Sequence, residues 1–177
     1  MKKINSLSLG AFALLLSFTV TSCKNEPSAE CVQLETASKQ LATNLKMYES
    51  TWDEIINKGK IDLINETNFD TNITLVTSPE NIVGIEGFKA YYNNYLTGFT
   101  NVTFTIVDVF GQGDKIVKHW NFKGKHTGEF FGIPATDKDV NVDGVTLVKM
   151  KDGKIAQEQD FMDNLEFMQQ LGIIPRE

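Results

Sequence analysis

The apolar residues of this chain change their spacing once, near residue 100, and that switch confines the fold to one arrangement. From Cys31 to Lys58 the positions Val32, Leu34, Leu41, Leu45, Tyr48, Trp52, Ile55 and Ile56 recur at three and four, the spacing of one helix face. Gly59 follows, and a glycine accepts the left-handed backbone of a helix C-terminus without steric cost. The pattern predicts a second short helix over Ile61 to Asn68 and a strand over Asn72 to Val76. A further helix opens after Gly84 and carries Phe88, Tyr91, Tyr92, Tyr95 and Phe99 on its apolar face. Beyond it the period becomes two. Val102 to Phe110, Lys115 to Lys125, Val140 to Met150 and Ile155 to Phe161 read as strands divided by turn signals. Asp163, with Glu166 three residues on, is a capping-box pattern that opens a last helix through Gln170. Helices followed by an antiparallel meander make an α+β fold, with helices against one face of a sheet.

The N-terminus carries a different message. Lys2 and Lys3 precede an apolar run, Leu7 to Val20, too short to cross a hydrocarbon core of ~30 Å as a helix. The run ends Val20-Thr21-Ser22-Cys23, which resembles the bacterial lipobox, where small residues admit a signal peptidase and the cysteine thiol takes a diacylglycerol. A plain signal peptide with an incidental cysteine is the alternative. The lipobox reading divides the chain into a signal peptide (1–22), a lipidated tether (23–30) and one folded domain (31–177). It places the protein in the bacterial cell envelope, bound to a membrane through Cys23.

Loss of residues 1–22 removes Lys2 and Lys3 and takes the formal charge from −6 to −8. An acidic domain is a poor partner for nucleic acid. Cys31 is the one cysteine besides Cys23, so neither an internal disulfide framework nor a Cys/His metal cluster is available. The Asn-x-Thr sequons at Asn65, Asn72 and Asn101 have no use behind a bacterial signal.

Within the strand half, GKHTGEFFGIPATDKDV (Gly124 to Val140) combines a histidine, a carboxylate, two adjacent aromatics, three glycines and a proline. Burial is worth about 1.5–3 kcal/mol for each phenylalanine, so a loop carrying Phe130 and Phe131 is expected to fold over something. This run, then VTLVKMKDGKIAQE, then DFMDNLEFMQQLGIIP, resembles the SnoaL-like polyketide cyclase or ester cyclase group of the NTF2-like superfamily. Members show G-x-H-T-G-E-F-x-G-x-P-x-T, a D-G-K-I hairpin and a D-x-L-x-x-x-x-Q-L-G ending. Ile85-Glu86-Gly87-Phe88 resembles the family's helix entry, and the similarity runs from about Tyr48 to Pro175. The resemblance implies an NTF2-like (cystatin-like) cone: a curved antiparallel sheet wrapped round the N-terminal helices, with a pocket at one end. It also implies an intramolecular aldol-type ring closure by a carboxylate acid/base, with no metal or organic cofactor. The small apolar or polyketide-like substrate would meet Trp120, Phe122, Phe130, Phe131, Tyr91, Tyr95 and Gln159. A homodimer through the sheet is a further expectation.

Proton removal next to a carbonyl needs a base, and desolvation raises an aspartate toward that task. Asp160 and Asp163 are the candidates. In a regular strand Asp160 shares a face with Ala156, Glu158 and Met162, while Asp163 shares one with Gln157, Gln159 and Phe161. Asp163 has an alternative role as helix N-cap, and Asp160 as a solvated strand residue beside Glu158. His126 is in phase with Trp120, Phe122 and Gly124; it either serves a substrate oxygen or hydrogen-bonds the rim loop. His119 falls on the other face. One departure weakens the catalytic reading: many members have His and Asp in a Y-A-P-D-x-x-x-H-D-P run, and here Phe69 to Pro79 reads FDTNITLVTSP. An enzyme and a non-catalytic, lipid-anchored binding or dimerisation module both remain open.

Overall fold

The computed structural model describes residues 27–176. The expected signal peptide and Cys23 lie outside the described residues. A long helix, α1 (Ala29–Lys58), is capped at its start by the Ser28 hydroxyl, which accepts from the Cys31 N–H. It ends at Gly59 in the left-handed conformation, φ 67°. Only its second half enters the core: Val32 and Leu34 are exposed, whereas Tyr48, Trp52, Ile55 and Ile56 are buried.

The expected helix over Ile61 to Asn68 is reduced to one 3₁₀ turn, Ile61–Leu63. Two asparagine side chains take the carbonyls that a helix would have used. Asn65 donates to Asp62 O at 2.7 Å and Asn68 to Leu63 O at 3.0 Å. Strand β1 (Phe69–Leu75) follows, then a two-residue strand β2 (Ile82–Val83) and helix α2 (Ile85–Gly98). Phe99 does not extend the α2 face. It takes extended backbone, φ −125° and ψ 143°, and begins the next strand.

The strand half agrees with the period-two reading. Strands β3 (Phe99–Gln112), β4 (Lys115–His126), β5 (Asp139–Lys151) and β6 (Lys154–Met162) form a meander, and α3 (Asn164–Gln170) closes the chain. Asp163 is the α3 N-cap, accepting from Glu166 N–H at 2.9 Å. The sheet order is β2-β1-β6-β5-β4-β3. One expectation is corrected here. The sheet is mixed, because β1 runs parallel to β6. The helical segment between β2 and β3 separates β1 from the meander in sequence, and β1 lies between the edge strand β2 and the last strand β6.

Helix α1 crosses the inner face against β3, and α2 packs beside it against β1 and β3. Asn57 near the end of α1 fixes this crossing by donating to Phe104 O at 2.8 Å and accepting from Phe104 N–H at 2.7 Å. A bulge in β6 sets which of its residues face inward: Met150 pairs with Ile155, but Lys149 pairs with Gln157. Ala156 is the extra residue, so Ile155 faces the core before it and Glu158 after it.

Candidate active site

The sheet's inner face and the two long helices enclose a cavity of about 180 Å³. Tyr91, Tyr92 and Tyr95 of α2 line one side, and Trp120 and Phe122 of β4 line the other. Asp160 and Lys118 are the ionisable groups other than tyrosine on its wall. Among the described residues no group of three or more His, Cys, Asp and Glu is placed to hold a metal ion.

Asp160 has both oxygens engaged by hydroxyls. Tyr92 donates to Oδ2 at 2.7 Å and Thr146 donates to Oδ1. Thr146 in turn accepts from the Trp120 indole N–H at 2.9 Å. Gly144 makes this last contact possible. A Cβ there would stand 2.2 Å from the Trp120 ring, so only a glycine lets the indole lie across β5 and reach Thr146. Behind Asp160 is Glu158, wholly buried, accepting from the Trp52 indole N–H at 2.9 Å and lying 3.1 Å from the Tyr92 hydroxyl.

The Tyr92 proton can serve one carboxyl at a time. If it goes to Asp160, the Tyr92 oxygen is left to accept from a protonated Glu158. Burial supports that arrangement by raising the Glu158 pKa to about 7, with Lys118 opposing the shift and Asp160 adding to it. Tyr92 itself is held well above its ordinary value, first by burial and then by the charge of Asp160. Glu158, Tyr92 and Asp160 therefore form a hydrogen-bonded line from the interior to the cavity wall.

The residues expected from the sequence separate into two groups. Asp160, Tyr91, Tyr95, Trp120 and Phe122 come together at the cavity. The others do not line it. Asp163 is at the helix cap, and Gln159 pairs with Leu147 in the phase opposite to Asp160. His126 is fully buried, with Nδ1 3.0 Å from Thr136 Oγ1 and no partner for Nε2 among the described residues, and desolvation lowers its pKa.

The H-T-G-E-F run is a fastening. Thr127 and Gly128 both donate backbone N–H groups to Gly98 O at 3.0 Å, and a Cβ on Gly128 would come 2.2 Å from Thr97 O. Phe130 is buried at 4% exposure and packs 5.0 Å from Tyr95 and from Phe99, centroid to centroid. Phe131, with φ 47°, is 45% exposed and lies over Tyr91 at 5.0 Å.

Two buried charged residues, Lys118 and Glu158, were not among the sequence candidates. Lys118 shares strand phase with Trp120 and Phe122, and Glu158 with Asp160. That phase was the signal that each faces inward.

A curved sheet wrapped on helices is an architecture shared with solved structures. TsrD from Streptomyces laurentii is 26% identical over 75% of this chain and 97% of its own, with a TM-score of 0.67. A Catenulispora acidiphila protein of ketosteroid isomerase-like fold, in complex with trimethylamine, is 20% identical over 71% of this chain and 92% of its own (TM-score 0.56). TerC, co-crystallized with polyporic acid, is 15% identical over 73% of this chain and 98% of its own (TM-score 0.58). No curated protein matches in sequence. The SnoaL-like polyketide cyclase model matches residues 45–171, most of the chain. The chain belongs to that family.

Proposed function

We propose that this protein performs cofactor-independent acid/base chemistry of the cyclase or isomerase kind on a small apolar, polyketide-like carbonyl compound. The observation that carries the reading is Asp160, on the cavity wall, held by two hydroxyls and backed by Glu158 through Tyr92. In the reaction Asp160 takes a proton from the carbon next to a carbonyl and returns it to the product-forming position. Tyr92 holds the carboxylate in place and connects it to the proton on Glu158. The aromatic walls orient a flat substrate and keep water away.

The fold neighbours that hold polyporic acid and trimethylamine support a small-ligand pocket. The test is exchange of the α-protons of small cyclic ketones in D₂O, followed by NMR. The wild-type protein is expected to exceed the buffer rate, and Asp160→Asn to return to it. A wild-type protein that binds such compounds without exchange would instead be a binding module, the reading favoured by the position of His126 outside the cavity.

We also infer that Cys23 is lipidated and ties the domain to the bacterial envelope, with Ser28 at the start of α1 ending the tether. Among the described residues no helix is long and apolar enough to cross a membrane. Cys23→Ser is expected to yield unlipidated precursor, because a serine hydroxyl cannot form the thioether to the diacylglycerol; mass spectrometry that finds an acylated N-terminus in that variant would refute the assignment. The exposed Leu147 and Phe161 on the outer sheet face support a homodimer there, which sedimentation would detect.

A further inference from the structure

Lys118 is an unusual residue to find inside this fold. It is 3% exposed, lies on the inner face of β4 and lines the cavity. Its ammonium sits 4.6 Å from the Trp52 ring centroid, 5.1 Å from Tyr48 and 5.3 Å from Phe104. Those ring faces hold the cation in place by cation–π attraction. They offer no lone pairs to its three N–H donors. Among the described residues Lys118 Nζ makes no hydrogen bond and no ion pair, although Glu158 and Asp160 are near enough to favour its charged form against the desolvation that lowers its pKa. A buried lysine whose ammonium has no hydrogen-bond partner among the described residues and a cavity in front of it is an incomplete site.

The sheet register gives that site a geometry. Lys118 pairs with Thr146, and Thr146 pairs with Asp160, so the three stand in one row across β4, β5 and β6. Adjacent strands are about 4.8 Å apart, so the lysine and the aspartate are two strand spacings apart at the backbone, with Thr146 between them and the cavity in front of both.

We propose that Lys118 is the receptor for an oxyanion of the ligand, so that the pocket takes flat, conjugated carbonyl or phenolic compounds as their enolates or phenolates. This deepens the acid/base reading and rests on it for the enolate case. When Asp160 takes the α-proton, the C–H bond breaks, an O–H bond forms on Asp160, and the electron pair moves to the carbonyl oxygen. The negative charge thus passes from Asp160 to an oxygen facing Lys118, and the net charge of the cavity is unchanged. The lysine then stabilises charge where it develops. Glu158, Asp160, Tyr48, Tyr91, Tyr92 and Tyr95 are the other titratable groups around this space, and none of them can supply a fixed positive charge.

The test uses 4-nitrophenol, whose phenolate and phenol absorb at different wavelengths. Bound to the wild-type protein, its phenolate-to-phenol ratio is expected to exceed that in buffer at the same pH by about tenfold or more, one unit of pKa. Lys118→Met is expected to abolish the excess. Asp160→Asn should keep or increase it while losing ketone proton exchange, so failure of the lysine proposal and failure of the acid/base proposal give different patterns. A wild-type protein that leaves the probe at its buffer ratio, by binding the phenol or by binding nothing, overturns the proposal. So does a Lys118→Met protein that keeps the wild-type ratio. The wild-type arm stands whether or not the variant folds.

Discussion

The rim loop and the inner face of β4 to β6 divide the work of this molecule unevenly. The loop holds the residues that stand out in the sequence: His126, the glycines, Phe130 and Phe131. Its contacts are those of a clasp. Backbone N–H groups of Thr127 and Gly128 reach Gly98, and Phe130 fills a socket of Tyr95, Phe99 and Phe167. The inner strand face holds Lys118, Thr146, Glu158 and Asp160, each an ordinary residue in an ordinary alternating run; there Thr146 and, through Tyr92, Glu158 are hydrogen-bonded to Asp160, and Lys118 is buried among aromatic rings. A sequence motif dense in glycine and aromatics thus reports how a chain is closed. A polar residue on an inward strand phase reports where its chemistry is.

This contrast can be broken by mutation. The largest stability effect is expected at the clasp. Phe130→Ala removes a ring that is 4% exposed and should cost about 3–5 kcal/mol in denaturant unfolding. A change below about 1 kcal/mol would show that the loop is not a fastening.

The next effect belongs to the inner face and depends on pH. Glu158 has a folded-state pKa raised from 4.5 to about 7. The stability it contributes is fully present below its unfolded value, where both states are protonated. It is lost as pH rises to about 7, because the unfolded chain releases the proton first. At 1.36 kcal/mol per unit the loss is about 3 kcal/mol. Unfolding free energies measured from pH 4 to 8 should show this fall in the wild-type protein, and Glu158→Gln should flatten it. An unchanged pH profile in the variant would mean that Glu158 is not the group responsible.

The smallest effect is expected next door to the largest. Phe131 is 45% exposed and lies against Tyr91 at the surface, so Phe131→Ala should cost less than about 1.5 kcal/mol. A cost equal to that of Phe130→Ala would mean that the ring is covered, as it would be by a second copy of the chain.

Much of the architecture was legible because the local signals agreed with the tertiary result. Gly59 and Asp163 end and begin helices as their chemistry dictates, and four strands follow their alternation. The features that were not legible depend on partners distant in sequence. The parallel pairing of β1 with β6 joins segments some eighty residues apart, and the helix after Gly59 fails because Asn65 and Asn68 turn their side chains back on the backbone. At the site, the phase argument put Asp160 with Glu158, and it holds because the β6 bulge lies before both. The alternative of a solvated strand position for Asp160 beside Glu158 meets a wholly buried Glu158 and an Asp160 that is half-buried at the cavity. Period two tells which residues share a face, but the face that Trp52 and Tyr92 cover is fixed by helices α1 and α2. Gln159 fell on the outer face for the same reason of phase.

The central claim is that the reacting group is on the inner strand face, and two identical substitutions three residues apart test it most directly. Asp160→Asn and Asp163→Asn each exchange one carboxylate for an amide, the first at the cavity and the second at the α3 cap, where asparagine caps nearly as well. Rates of ketone α-proton exchange in D₂O should fall to the buffer level in Asp160→Asn and stay at the wild-type level in Asp163→Asn. The reverse pattern, exchange kept without Asp160 and lost without Asp163, would contradict the account.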